Sequence, residues 1–169
     1  RKRLGHTSKA PRWVIAYKVE IWETTTTIES LTLQVGKTGA ITPVAELAPC
    51  EIDLTTVSRV SLHNFDDIAL KDIRVGDWVE IVRAGEVIPK VMGPLRERRD
   101  GSEVPFAMPG TCPVCGTSVE RPADEVARYC PNVSCPGRVL EGIVHFASRE
   151  AMDIRGLGYE RVRQLLDAT

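Results

Sequence analysis

Four of the five cysteines fall into two short knuckles, Cys112-Pro-Val-Cys115 and Cys130-Pro-Asn-Val-Ser-Cys135, separated by the fourteen residues 116–129. Two pairs of thiolates joined by a modest loop have the spacing of a tetrahedral zinc site, with Zn–S distances of ~2.3 Å. Pro113, Gly116, Pro131 and Pro136 supply tight turns that aim both sulfurs of a pair at one point. The competing arrangement is two disulfides. No signal peptide is read at the start of the chain, so nothing points to an oxidising compartment. With Cys112, Cys115, Cys130 and Cys135 filling all four positions, no place is left for a reacting water. The predicted zinc is structural and not catalytic.

A knuckle pair this small builds no core of its own, so the other residues of the 169-residue chain must supply one. That length has room for one ordinary domain or two or three small modules. Hydrophobic content of 43% and charged content of 27% are those of a soluble globular protein, and aromatics at 5% leave no single large core obvious. No apolar run approaches the ~20 residues of a membrane span. The chain opens at Arg1 without Met and stops at Thr169 inside a helical pattern, so both ends read as cut from something longer.

The net charge of −1 selects no partner, but its distribution is informative. Arg1, Lys2, Arg3, Lys9, Arg12 and Lys18 lie in a stretch without an acid, and Arg96, Arg98 and Arg99 are partly offset by Glu97 and Asp100. Either patch suits local phosphate contact. Solvated surface charge explains each equally well. Cys50, outside the zinc spacing, reads as a small buried hydrophobe.

In chain order, residues 1–12 read as a basic loop. Trp13–Val19 reads as a short apolar strand, with Lys18 either snorkelling to solvent or held in a cleft against a phosphate. Thr24–Thr27 is extended by β-branching and otherwise uninformative. Ile28–Val35 and Ala40–Leu47 are predicted strands joined by the turn Gly36-Lys-Thr-Gly39, whose glycines permit positive φ or a close backbone approach. That turn lacks the length and following helix of a nucleotide-binding P-loop. Val57–Leu62 is a third strand, and Phe65–Lys71 carries enough apolar residues for two helical turns. Trp78–Arg83 alternates with period two. Val87–Met92 returns as an edge or bulged strand because of Pro89. Five short strands with a small helix between the third and fourth are the plan of an OB-type antiparallel β-barrel, a fold often used on nucleic acid strands.

Gly93–Pro109 is a connector with three prolines. Between the cysteine knuckles, Val119–Tyr129 alternates enough for a short hairpin. Leu140–Ala147 and Tyr159–Leu166 carry helical periodicity around the turn Gly156-Leu-Gly158, forming a helix–hairpin–helix pattern. Such a turn exposes backbone N–H groups at a helix start, where the dipole favours a DNA phosphate. A plain helix turn has the same sequence. His145 reads as a core or boundary histidine.

Taken together, these segments resemble the middle of a bacterial NAD-dependent DNA ligase. The matching stretches are APRWVIAYK (10–18), VGKTGAITPVA (35–45), VSRVSLHN (57–64), IRVGD (73–77), RAGEVIP (83–89), CPVCG (112–116) and HFASREAMDIRGLG (145–158). The ordered set is specific although no single motif is. The resemblance implies the end of an adenylation domain at 1–19, an OB domain at 20–107, a four-cysteine zinc module at 108–139 and the start of a helix–hairpin–helix domain at 140–169. It implies that Lys18 contacts the adenylate phosphate. It also implies that Lys37, Thr38, Arg83, Val87 and Ile88 face DNA around a nick, with Gly156 and Gly158 in a further DNA-binding turn. Lys37 stands where the family commonly has arginine, keeping the charge without the bidentate fork. Glu86 replaces the usual aspartate, and Val19-Glu20 the usual Phe-Pro.

The implied chemistry is lysine attack on NAD, transfer of AMP to the 5′-phosphate of the nick, and sealing by the 3′-hydroxyl, with Mg2+ (or Mn2+) as the divalent cation. The family's nucleophilic lysine lies in a K-x-D-G motif, which this sequence does not contain. The fragment is therefore expected to supply Lys18 and a grip on nicked double-stranded DNA without turning over alone. The full-length protein is expected to be a cytoplasmic, nucleoid-associated monomer. The alternatives are a stand-alone OB plus zinc nucleic-acid-binding module and a structural zinc-ribbon interaction protein. The first has no need of the strand that carries Lys18, and the second explains the cysteines but not the barrel motifs.

Overall fold

The computed structural model describes residues 2–7, 10–14, 21–84 and 88–168. Its strands are β1 (Ile21–Val35), β2 (Ala40–Ile52), β3 (Thr55–Ser61), β4 (Arg74–Val75), β5 (Trp78–Ala84), β6 (Lys90–Pro94), β7 (Val104–Pro105) and β8 (Arg128–Tyr129). The helices are α1 (Phe65–Lys71), α2 (Pro136–Ala147) and α3 (Tyr159–Asp167). The main sheet runs β3-β2-β1-β5-β6 with antiparallel neighbours. Its outer strands β3 and β6 come alongside one another, which curls the sheet into a barrel with α1 between the third and fourth long strands. This is the arrangement expected of an OB-type fold.

The long first strand makes the closure possible. The first half of β1 pairs with β5, from Ile21 opposite Ala84 to Thr27 opposite Trp78. Its second half pairs with β2, from Ile28 opposite Leu47 to Val35 opposite Ile41, and a bulge between Ile28 and Ser30 separates the two halves. A bulge bends and twists its strand, so β1 can pair with β5 and then β2 within one curled sheet. The strand starts earlier than the expected Ile28 because the threonine run belongs to it. Thr26 is buried and its hydroxyl donates to the Ala48 carbonyl at 2.6 Å, so the run carries a fold contact after all. The strand expected at 13–19 falls mostly outside the described residues, and Trp13 and Val14 themselves are not in a strand. The return strand starts at Lys90, after Pro89, and runs on to Pro94.

Inward side chains Ile28, Leu47, Val60, Leu62, Ile68, Ile73, Val79 and Ile81 form one core. Helix α1 plugs it with Phe65 and Ile68. Asn64 starts that helix, accepting the Asp67 N–H at 2.7 Å. The same core continues without a break into Cys112, Cys130 and Cys135. The low aromatic content thus hides a single core built from aliphatics.

The basic cluster at 96–99 divides, with Arg96 and Arg98 exposed and Arg99 drawn into the fold. Arg99 turns inward and donates to both oxygens of the fully buried Asp77, at 2.6 and 2.8 Å, and to Asp72 at 2.7 Å. Arg98 lies over the Trp78 ring at 5.0 Å, and Arg96 donates to the Lys71 carbonyl at 3.3 Å. Asp72 ends α1 in the left-handed region with φ 56°. Hydrogen bonds from Arg74 and then Arg99 hold its carboxyl at about 2.

Arg99→Ala leaves Asp77 buried beside an unfilled space. It is expected to cost on the order of 3 kcal/mol in urea unfolding, against less than about 0.5 kcal/mol for Arg96→Ala. Asp72 sets the pH response. Its folded pKa lies below the unfolded value of ~3.9, so its contribution is complete above that value. The contribution is expected to disappear as pH falls towards 2, and a flat unfolding free energy between pH 4 and 2 would contradict it.

Candidate metal centre and nucleic-acid interface

The four cysteines converge, with all four Sγ atoms within 4.8 Å of one another. Cys112 and Cys135 approach to 3.9 Å, and Cys115 and Cys130 to 3.5 Å. A zinc ion with four sulfurs at ~2.3 Å requires S···S separations of about 3.8 Å, so the cluster fits the metal. The pairs that approach come from opposite knuckles. Backbone hydrogen bonds shape each one: the Gly116 N–H donates to the Cys112 carbonyl at 2.9 Å, and the Cys135 N–H to the Asn132 carbonyl at 3.1 Å.

Three of the thiols are shifted, and not in one direction. Burial pushes Cys130 up to about 12 and raises Cys135, while backbone N–H groups at the start of α2 pull Cys135 the other way. Cys115 is the more open sulfur, and the neighbouring Thr117 hydroxyl brings it down to about 6. Four thiolates in this space need a divalent cation to offset their mutual repulsion. Bound zinc deprotonates all four and becomes part of the folding free energy.

The loop between the knuckles does more than close a hairpin. Glu120 and Tyr129 exchange backbone hydrogen bonds at 2.9 and 2.8 Å, the short pairing expected there. On its other side, β8 pairs with β2, placing Tyr129 opposite Ala40 and Arg128 opposite Ile41. The free edge of β2 is thus covered by β3 along residues 44–52, by the Leu62 N–H at Pro43, and then by β8. The zinc module is an extension of the barrel sheet. Neither knuckle spacing nor alternation reveals this, because strand partners far apart in sequence leave no local pattern.

The contact is tightest at the tip of the β1–β2 hairpin. The Cys130 N–H donates to the Gly39 carbonyl at 2.9 Å. Gly39 has φ +88°, and a Cβ there would sit 2.4 Å from the Cys130 carbonyl oxygen. It thus meets both conditions anticipated for a glycine in this turn. Arg138, on the first turn of α2, donates to the same carbonyl at 3.0 Å. Sequence reasoning passed over Arg138 because nothing local marks an arginine that folds back on a knuckle. Helix α2 begins at Pro136, directly after the last cysteine, which suits a proline at a helix start.

Of the expected DNA-facing residues, Lys37 and Thr38 are exposed at this tip. Arg83 lies at the other end of β1, opposite Trp22, with its guanidinium 3.1 Å from the Thr55 hydroxyl and 3.8 Å from the Asp53 carboxylate. Ile88 follows on the β5–β6 connection and is 75% exposed. The structure brings Arg83 and Ile88 towards one end of the barrel and Lys37 and Thr38 to the other. Gly156 adopts φ +81° in the turn between α2 and α3, and Gly158 caps α3 without a side-chain hydrogen bond. Both are exposed. Lys18 and Val87 lie outside the described residues. Cys50 is half-buried against the barrel core, close to the reading from sequence.

Chelation of the metal is expected to open residues 110–137 to trypsin at Arg128, which lies between the knuckles and is followed by Tyr129. Unchanged resistance after complete metal removal would contradict a structural role for the site.

Residues 25–103 match the family model of the NAD-dependent DNA ligase OB-fold domain, and residues 111–136 that of the NAD-dependent DNA ligase C4 zinc finger domain. A DNA ligase of Gemmatimonas aurantiaca is 54% identical over 160 residues, covering 95% of this chain and 23% of the relative. One of Desulfosudis oleivorans is 54% identical over 166 residues, covering 98% and 24%. One of Halalkalibacterium halodurans is 50% identical over 166 residues, covering 98% and 25%. The chain therefore spans about a quarter of the length of the curated relatives it matches. With an OB-fold domain and a C4 zinc finger in this order, and about half its residues shared with DNA ligases, the chain belongs to the NAD-dependent DNA ligase family.

Proposed function

We propose that this chain is the DNA-gripping middle of an enzyme that seals nicks in duplex DNA. The observation that carries this reading is the fusion of the zinc knuckle to the β1–β2 hairpin, which holds an exposed Lys37-Thr38 tip on a rigid base. A lysine fixed on rigid backbone is suited to a phosphate, since phosphate contacts set the register of a protein on a duplex. Arg83 and Ile88, beyond the other end of β1, would meet the duplex at a second place. Ile88 suits apolar contact with a minor groove. Helices α2 and α3 would act as the first helix–hairpin–helix, with Gly156 and Gly158 offering backbone N–H groups to a phosphate. Val87 is assigned to the same DNA face by resemblance alone.

Lys18 is the one residue here assigned to the adenylate, and its role would be to stabilise charge on the transferring phosphoryl group. NAD would supply the AMP. The cation of that chemistry would be Mg2+ (or Mn2+). Such hard cations take oxygen ligands, so the four-cysteine set is not their site. The nucleophilic lysine, whose K-x-D-G motif this sequence does not contain, is assigned to the remainder of the enzyme. The enzyme would act as a monomer on nucleoid DNA in the cytoplasm.

In the full-length protein, Lys37→Ala and Arg83→Ala are each expected to weaken binding of a nicked duplex and to reduce the salt slope by about one. Lys18→Ala is expected to slow adenylate transfer on the order of 100-fold while leaving nick binding intact. Binding unaffected by either DNA-face substitution would remove the proposed grip. Transfer unaffected by Lys18→Ala would leave a binding module without a catalytic share.

A further inference from the structure

A zinc knuckle beside a barrel can act simply as a spacer, but the contacts here are more directed than that role needs. Three elements meet at the backbone of one residue, Cys130. The Cys130 N–H donates to the Gly39 carbonyl at 2.9 Å, and the Cys130 carbonyl accepts from Arg138 Nη1 at 3.0 Å. The Arg138 side chain also closes over Gly39, with its Cδ 3.2 Å and its Nε 3.3 Å from where a Cβ would stand. The hairpin tip is tied internally by Gly39 N–H to the Gly36 carbonyl at 2.8 Å and by Gly36 N–H to the Ala40 carbonyl at 2.9 Å. Lys37 and Thr38 lie between these ties and are exposed. Gly137 presses α2 onto the hairpin stem, where an added Cβ would lie 3.3 Å from Val35 Cβ and 3.3 Å from Val114 Cγ2. The tip is therefore held from both sides by residues next to metal ligands.

We propose that Gly39 and Arg138 are positioning residues for DNA binding, locking the Lys37-Thr38 tip onto the zinc knuckle so that the metal sets the geometry of a phosphate contact made by the barrel. Neither residue touches DNA in this scheme. Gly39 admits the Cys130 carbonyl where any side chain would displace it. Arg138 occupies that carbonyl and covers the tip from above. Zinc fixes Cys130, and the Cys130 backbone fixes the tip. Loss of metal would then weaken a contact in the barrel as well as unfold the knuckle. This rests on the reading of Lys37 as a phosphate contact.

The test is a double-mutant cycle in the full-length ligase on a nicked duplex, with zinc content measured on every variant. Lys37→Ala alone is expected to raise KM several-fold. Gly39→Ala and Arg138→Ala are each expected to keep their zinc and to raise KM by a similar factor, with kcat within about twofold. Lys37→Ala added to either should then raise KM by less than about twofold, because the contact is already lost. Arg138→Lys, which keeps a donor for the Cys130 carbonyl, should recover most of the KM.

Full multiplication of the Lys37 and Arg138 effects would overturn the proposal. So would an unchanged KM in Arg138→Ala, or loss of zinc from that variant. An inert Lys37→Ala would remove the phosphate contact itself, a result distinct from a failure of the coupling. Should Gly39→Ala not fold, the Arg138→Ala and Arg138→Lys pair decides the matter.

Discussion

The two backbone hydrogen bonds of Cys130 are the constraint on which the arrangement of modules depends. Its N–H is given to the barrel at Gly39 and its carbonyl accepts from α2 at Arg138. Each bond alone is worth about 1 kcal/mol net. Their importance is geometric, because the backbone belongs to a metal ligand whose sulfur is fully buried. Zinc fixes the sulfur, the sulfur fixes the backbone, and the backbone fixes a hairpin and a helix. A knuckle too small to build a core borrows one from the barrel, whose aliphatic cluster runs into Cys112, Cys130 and Cys135.

A second anchor sits beside Ile28, in the middle of β1. Asp77 accepts from Arg99 and from the Arg74 backbone N–H at 2.7 Å, so a buried carboxylate is met by both a charge and a peptide. That network joins the turn before β5 to the end of α1 and to the connector leading towards the zinc module. The connector is held in place before the first cysteine is reached. The barrel is thus fixed at two places by different chemistry, beside Ile28 in the middle of β1 by a carboxylate–guanidinium network and at the β1–β2 tip by a metal site. The proposed DNA contacts lie near the metal end, at Lys37, and at the opposite end of β1, at Arg83.

Much of this was legible in the sequence. The knuckle spacing carried the metal site, α1 followed from its apolar positions, and the order of five strands around that helix carried the barrel. What was hidden has a common physical cause. The β1–β5 and β8–β2 pairings and the Arg138–Cys130 contact join residues that are not neighbours in sequence. Period-two and period-3.6 patterns are silent on such contacts. The inward role of Arg99 was hidden for a related reason. Charge on a short connector resembles a surface patch until its buried partner Asp77 is seen. Gly39 is the instructive exception, since a glycine in a tight turn already signals a close approach, although not to what.

Amide hydrogen exchange in the intact protein, with and without zinc, tests the joint behaviour of knuckle and hairpin most directly. The Gly36 and Gly39 amides are bonded within the barrel hairpin and the Cys130 amide across to it. If the metal holds the tip, all three lose protection together when zinc is removed, while Val79 and Ile81 in the barrel core keep theirs. Loss of protection at Cys130 with Gly36 and Gly39 unchanged would mean that the hairpin stands without the knuckle, contradicting the account.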